Sequence, residues 1–191
     1  MRERLEREYF EGLYAESKDP WDYESSDYEQ RKYQKTLQAL GGRRFTRALE
    51  VGSSIGVFTE LLAPLCDELI ALDLSERAVA AARQRLSGHE QVRVQRRGVP
   101  EEMSEGPFDL ILASEVLYFL TREVMLAALE GFERELAPCG LLLAVHWRKE
   151  TKTYPLQGDE VHELLIENTQ LKHIENIIEP EYRLDLFENR S

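Results

Sequence analysis

The chain has 191 residues, 42% of them hydrophobic, with 24 Lys and Arg against 36 Asp and Glu, a formal charge of −12 and two cysteines. A chain of this length is expected to fold as one domain, 1–191, hiding roughly 70% of its unfolded surface without disulfide or metal staples. The acidic balance argues against nucleic acid and anionic membranes as partners, and no apolar run nears the roughly 20 residues of a membrane helix.

Half of the excess charge falls in the last 42 residues, where 4 basic side chains stand against 10 acidic ones. A solvated acidic surface accounts for this, and so does a surface that attracts a cationic amine. The first residues, MRERLEREYFEGLY, alternate charges with apolar side chains and lack the apolar core of a signal peptide, so a cytoplasmic protein is expected. Residues 1–40 read as a helical extension, 41–149 as a core, and 150–191 as a further helix and hairpin. From Asp27 a helix places Tyr33, Leu37 and Leu40 on one stripe and Tyr28, Arg31, Lys32 and Lys35 on another. Two readings stand: an amphipathic helix with its charges in water, or a lid. In the lid, aromatics such as Trp21 and Tyr28 would cover an adenosyl group and Lys32 would meet a carboxylate.

Short apolar runs between turn residues predict strands at 47–51, 68–73, 92–96, 108–113 and 141–147. Helical patterns lie between them. One starts after Gly56 and stops at Pro64, because proline cannot continue a helix. Another is capped by Ser75 and stopped by Gly88, with Ala78, Ala82 and Leu86 on one face. A third runs from Thr121 towards Pro138. This alternation predicts an α/β fold with a parallel sheet covered by helices. The tail adds a helix at 159–169 and two strand-like runs, 171–178 and 182–188, joined by a turn. Cys66 and Cys139 show no metal or disulfide spacing and are expected to be small buried or half-buried thiols. No metal site is expected.

Chemistry concentrates at the strand tips. ALEVGSSIGVFT carries Glu50, Gly52 and Gly56 at a strand-to-helix turn, where glycine lets backbone N–H groups approach a ligand. The dinucleotide pattern would need glycine at 52, 54 and 57, but Ser54 and Val57 occupy two of these places. The remaining spacing suits a nucleoside with an amino-acid tail. Asp73 ends the second strand, placed to accept hydrogen bonds from both hydroxyls of a ribose or to cap the following helix. Ser114, Glu115 and Tyr118 end the fourth strand, and His146 and Trp147 end the fifth. A carboxylate after an apolar strand needs a partner.

Taken together, DPWDY (19–23), YEQRKY (28–33), ALEVGSSIGVFTELLAPLCD (48–67), IALDLSERAVAAAR (70–83), FDLILASEVLYFL (108–120) and YPLQGDEVHELL (154–165) carry a family resemblance. The chain resembles the class I S-adenosylmethionine-dependent methyltransferases, and among them the nodulation N-methyltransferase family. The resemblance implies a Rossmann-like seven-stranded sheet in the order 3-2-1-4-5-7-6, with the seventh strand antiparallel. It implies S-adenosylmethionine as cofactor, S-adenosylhomocysteine as product and a small-molecule acceptor, an amine of a sugar or natural product. The fallback readings are an O-methyltransferase, a catalytically silent cofactor-binding module and a nicotinamide oxidoreductase.

The implied cofactor residues are Trp21, Tyr28, Lys32, Glu50, Gly52, Ser53, Ser54, Gly56, Asp73, Leu74, Val99, Ser114 and Glu115. Tyr118, His146, Trp147, Tyr154 and Asp159 are expected to face the acceptor. His146 and Glu115 are the candidate catalytic groups, since an amine must shed a proton and imidazole has the better-matched ordinary pKa. A monomer or homodimer is expected. The chain departs from the wider superfamily at Ser54, often glycine there, and in RGVPEE (97–102), which lacks the acidic residue common after the third strand.

Overall fold

The computed structural model describes residues 3–190. Its helices are α1 (Arg7–Glu16), α2 (Asp27–Ala39), α3 (Val57–Leu62), α4 (Glu76–Arg85), α5 (Arg122–Glu135) and α6 (Gly158–Asn168). Its strands are β1 (Phe45–Val51), β2 (Cys66–Asp73), β3 (Val92–Arg96), β4 (Phe108–Ser114), β5 (Leu136–Trp147), β6 (Lys172–Ile178) and β7 (Tyr182–Glu188). They form one seven-stranded sheet in the order β3-β2-β1-β4-β5-β7-β6. β1 with β2, β2 with β3 and β4 with β5 pair in parallel, while β7 runs antiparallel to both β5 and β6. No described helix is long and apolar enough to cross a membrane.

Residues 6–98 form one compact unit, and residues 99–190 with 3–5 form the other. In the first, β2 is buried from Leu69 to Leu72. Ala71 packs with Val79, Ala82 and Leu86 of the α4 region and with Val94 of β3. The small residues at 78 and 82 let α4 lie close to the sheet. Ser75 caps α4 by accepting the Ala78 N–H at 3.2 Å, and Ser26 caps α2 through Glu29 N–H at 3.3 Å. α3 gives way at Pro64 to a single 3₁₀ turn, Ala63–Leu65.

In the second unit, Leu110–Ala113 of β4, Leu141–His146 of β5 and Leu184–Phe187 of β7 are buried. Met125, Ala128, Leu129 and Phe132 supply the inner stripe of α5, and Val161, Leu164 and Leu165 that of α6. The edge strand β6 is mostly exposed and carries Lys172 and Glu175, charges that discourage pairing with other chains.

Two expectations need correction. β5 begins at Leu136, because Cys139 adopts a left-handed φ of 60° and donates its N–H to Asn189 O at 2.8 Å, which draws the segment into the ladder. That geometry leaves Cys139 exposed, whereas Cys66 is buried as expected. The second concerns α2. Tyr33 and Leu40 are buried as the stripe predicts, but Lys32, expected in water under the amphipathic reading, is only 1% exposed. Its ammonium pairs with Glu29 at 2.9 Å and lies 5.1 Å from the centre of the Tyr28 ring.

Candidate functional site

The turn after β1 is held by its own backbone. Gly52 and Ser53 both donate to Leu72 O at 2.8 Å, and Gly56 donates to Ser53 O at 2.9 Å. Gly52, Ser54 and Gly56 have φ of 78°, 51° and 81°. The left-handed values at 52 and 56 suit glycine, and at Ser54 a non-glycine residue is held in the same region by two contacts. Ser54 N–H donates to Asp73 Oδ2 at 2.8 Å, and its hydroxyl shares a hydrogen bond with the Tyr14 hydroxyl. Gly56 is tighter still: an added Cβ would lie 3.1 Å from Ala82 Cβ and 3.3 Å from its Cα. Gly56→Ala therefore combines left-handed strain with a close approach to the α4 backbone. It should cost about 2–3 kcal/mol in denaturant unfolding.

Asp73 does more than end a strand. Its Oδ1 accepts Ser75 N–H at 2.9 Å while Oδ2 holds Ser54, so one carboxylate ties the turn after β1 to the start of α4. The helix-terminus reading is seen here: the group helps organise the start of α4, and Ser75 remains the side-chain cap. Burial raises its pKa to about 6, against the opposing backbone hydrogen bonds.

Glu50 is buried under the turn at 3% exposure, and burial pushes its carboxyl up to about 8, with Asp73 adding to the rise and the Thr59 hydroxyl opposing it. A carboxyl raised in the folded state stabilises fully below its ordinary value of 4.5, and that contribution is lost as pH climbs through about 8. Glu50→Gln, neutral throughout, should therefore raise Tm by about 5 °C near pH 9 and change it little near pH 5.

α1 adds two contacts that sequence reasoning missed. Glu11 Oε1 accepts Glu76 N–H, at the start of α4, at 2.6 Å, and Tyr14 reaches Ser54. Burial, together with the Asp73 charge, holds the Tyr14 phenol above its ordinary pKa, so it remains protonated. Tyr14 also meets Trp21 edge-on at 5.8 Å, and Trp21 stacks on Tyr23. The available signal was the Phe10–Tyr14 spacing, which marks one buried helix face. Lys32, expected at a ligand carboxylate, has Glu29 as its carboxylate partner.

In the second unit, Glu115 follows β4 with φ 54° and donates its N–H to Val145 O at 2.8 Å. Its Oε2 accepts from the Tyr118 hydroxyl at 2.5 Å and from Trp147 N–H at 2.9 Å. These are the partners its position after an apolar strand demanded. Tyr118, in the 3₁₀ turn Leu117–Phe119, stacks on Tyr154 at 4.8 Å and meets His146 edge-on at 5.2 Å. Ser114 ends β4, and Val99 is buried at the start of this unit.

Two candidates change meaning. His146 is fully buried, its Nε2 accepts Leu117 N–H at 3.2 Å and its Nδ1 faces His162 Nε2 at 3.2 Å. With Nε2 engaged, the ring is not placed to take a proton from an acceptor. Asp159 meets Arg148 through two bonds, at 2.8 and 3.0 Å, so its charge is matched within the protein and is not left to attract an amine. Sequence reasoning missed His162 and Asp185. The signal lay in RLDLF (183–187), where a carboxylate on an apolar strand again calls for partners.

Both units therefore place polar groups at the carboxyl ends of parallel strands. In the first, Glu50 Oε2 and Ser53 Oγ are buried without a hydrogen-bond partner in the protein, which fits a ligand that supplies one.

The strand order and the antiparallel last strand are those of the Rossmann-like class I methyltransferase fold. The chain belongs to the nodulation protein S (NodS) family, whose model matches residues 6–175. Nodulation protein S of Sinorhizobium fredii is 35% identical over 126 residues, which cover 65% of this chain and 58% of the relative. That of Bradyrhizobium diazoefficiens is 36% identical over 124 residues, covering 63% and 58%. The chain thus spans about 58% of the length of these curated relatives. The crystal structure of N-methyltransferase NodS from Bradyrhizobium japonicum, in complex with S-adenosyl-L-homocysteine, superposes with a TM-score of 0.87 at 26% identity. It covers 97% of this chain and 98% of that one.

Proposed function

We propose that the chain is a cytoplasmic S-adenosylmethionine-dependent N-methyltransferase acting on an amine of a small sugar or natural product. The observation that carries the reading is the turn at 52–56, flanked by the buried carboxyl of Glu50 and the half-buried carboxylate of Asp73, with Glu50 Oε2 and Ser53 Oγ buried and lacking protein partners. Family membership and the S-adenosylhomocysteine-bound relative support the same cofactor. Gly52, Ser53 and Ser54 would face the amino-acid part, Asp73 with Leu74 the ribose, and Trp21 with Tyr28 would cover the adenosyl group.

When bound, the cofactor supplies an electrophilic methyl on a sulfonium. The protein has no bond to make to it, and its own contribution is alignment and exclusion of water. Glu115, held on Oε2 by Tyr118 and Trp147, presents a fixed negative charge that suits an amine gaining positive charge as it is methylated. Tyr154 and Trp147, half-buried beside the buried Tyr118 ring, offer aromatic surface to the ring of a sugar or to a cationic amine. His146 supports this arrangement from behind, in place of the proton-accepting role that its matched ordinary pKa suggested.

Calorimetric titration with S-adenosylmethionine, S-adenosylhomocysteine and a nicotinamide nucleotide tests the cofactor. The expected result is binding of the first two alone. Product S-adenosylhomocysteine formed with glucosamine oligosaccharides, but not with matched N-acetylated ones, tests the acceptor. Binding without turnover on any amine or hydroxyl panel would support a silent binding module instead.

A further inference from the structure

The second unit contains a continuous row of buried polar groups. Leu117 N–H donates to His146 Nε2 at 3.2 Å, His146 Nδ1 lies 3.2 Å from His162 Nε2, and His162 Nδ1 lies 2.6 Å from Asp185 Oδ2. His146, His162 and Asp185 are each 0% exposed. One proton arrangement satisfies these three contacts. A backbone N–H can only donate, so His146 Nε2 must carry a lone pair and the ring's proton sits on Nδ1. That proton points at His162, whose Nε2 must accept, which leaves the His162 proton on Nδ1, directed at Asp185. Both rings are neutral, and all donors point the same way along the row.

We infer that Asp185 and His162 are positioning residues. They set the tautomer of His146, which then holds the Leu117 turn and thereby the neighbouring Glu115 and Tyr118. This rests on the reading of Glu115 as the group facing the acceptor. The row does not transfer protons: its entrance is closed by Leu117 N–H, which gives up no proton and leaves no vacant lone pair. Its far end is a charge anchor. Asp185 Oδ1 also accepts from His173 Nε2 at 2.6 Å and Asn176 Nδ2 at 2.7 Å, and Oδ2 from Arg183 Nε at 2.8 Å.

The surrounding charges keep this polarity. Burial holds His162 below the ordinary imidazole value although Asp185 pulls the other way. Burial alone would raise Asp185, but the hydrogen bonds from His162 and Asn176 and the nearby Arg183 charge hold it below the ordinary carboxylate range. Arg183 on β7 opposes a proton on His162, while Asp159, on its own helix α6, favours one. Arg148 already matches Asp159. Among the described residues, Tyr118 meets His146 and in turn holds Glu115, and His173 meets Asp185.

The spacing of the imidazole nitrogens supplies a selective test. The amide end of glutamine reaches where His162 Nε2 lies, and that of asparagine where Nδ1 lies. His162→Gln can still accept from His146 Nδ1, whereas His162→Asn keeps the contact to Asp185 and abandons His146. Long-range proton–nitrogen spectra of the full chain at neutral pH should show pyrrole-type Nδ1 and pyridine-type Nε2 in both His146 and His162. H162Q should preserve the His146 pattern, and H162N should lose it and shift the Leu117 amide. With an amine acceptor that turns over, H162N should lower kcat by about 10- to 100-fold, H162Q should retain most of it, and S-adenosylhomocysteine affinity should hold in both.

A proton found on His146 Nε2 in the parent protein would overturn the inference, whether or not either variant folds. Equal losses in the two variants would do the same. If no acceptor turns over while the tautomer pattern is intact, the functional reading fails and the proton arrangement of the row stands.

Discussion

Replacing Asp73 by alanine is expected to weaken S-adenosylhomocysteine binding by about 100-fold or more, since charge-assisted hydrogen bonds contribute about 1.5–3 kcal/mol each. The loss has two sources. The carboxylate that would accept the ribose hydroxyls is removed. So is the group that holds Ser54 N–H at 2.8 Å and Ser75 N–H at 2.9 Å, leaving Ser54 with its φ of 51° but without its main anchor. Asp73→Asn keeps an acceptor but no charge and should fall between the two.

The parent protein should show the same effect through pH. Because burial raises Asp73 to about 6, its charge is present at neutral pH and lost as pH falls through that value, so affinity should drop on acidification. Titration calorimetry across that range reads both effects. An alanine variant within about threefold of the parent would remove Asp73 from the cofactor site, because that difference is well below one charge-assisted hydrogen bond.

Glu115→Gln is expected to lower kcat by about 100-fold, the scale associated with losing one preorganised electrostatic contact to a transition state. The amide keeps the volume and one acceptor, so it can still meet Tyr118 or Trp147 N–H, but it no longer offers a negative charge to a nitrogen becoming cationic. S-adenosylhomocysteine affinity should change little. If affinity falls in step with kcat, Glu115 acts on cofactor binding instead. Steady-state methyl transfer beside calorimetry on the same variant separates the two roles.

The sequence alone was enough to place every strand and most helix ends, because the physics there is local. Apolar runs of five to eight residues, proline at 64 and serine at 75 act within a turn or two of themselves. The turn glycines and Asp73 were legible for a related reason: a tight strand-to-helix connection demands left-handed backbone and leaves few residue types able to supply it. Ser54 was legible as a departure but not as a solution, since its partners Tyr14 and Asp73 are 40 and 19 positions away.

What only the tertiary structure decided was how polar side chains were used. His146 was a candidate base because imidazole has the better-matched ordinary pKa and a second polar strand tip, Glu115, lies beside it, although a strand-tip histidine is more often a structural hydrogen-bonder. Burial, a backbone donor and a second histidine 16 residues on turn it into a support. Lys32 could be read as a solvated charge or as a base meeting a carboxylate, and the fold buries it beside Glu29. Asp159 looked available, and Arg148 matches it. Element formation is governed by neighbours along the chain, whereas the protonation, pairing and availability of a charged group depend on whatever the fold brings within hydrogen-bond distance.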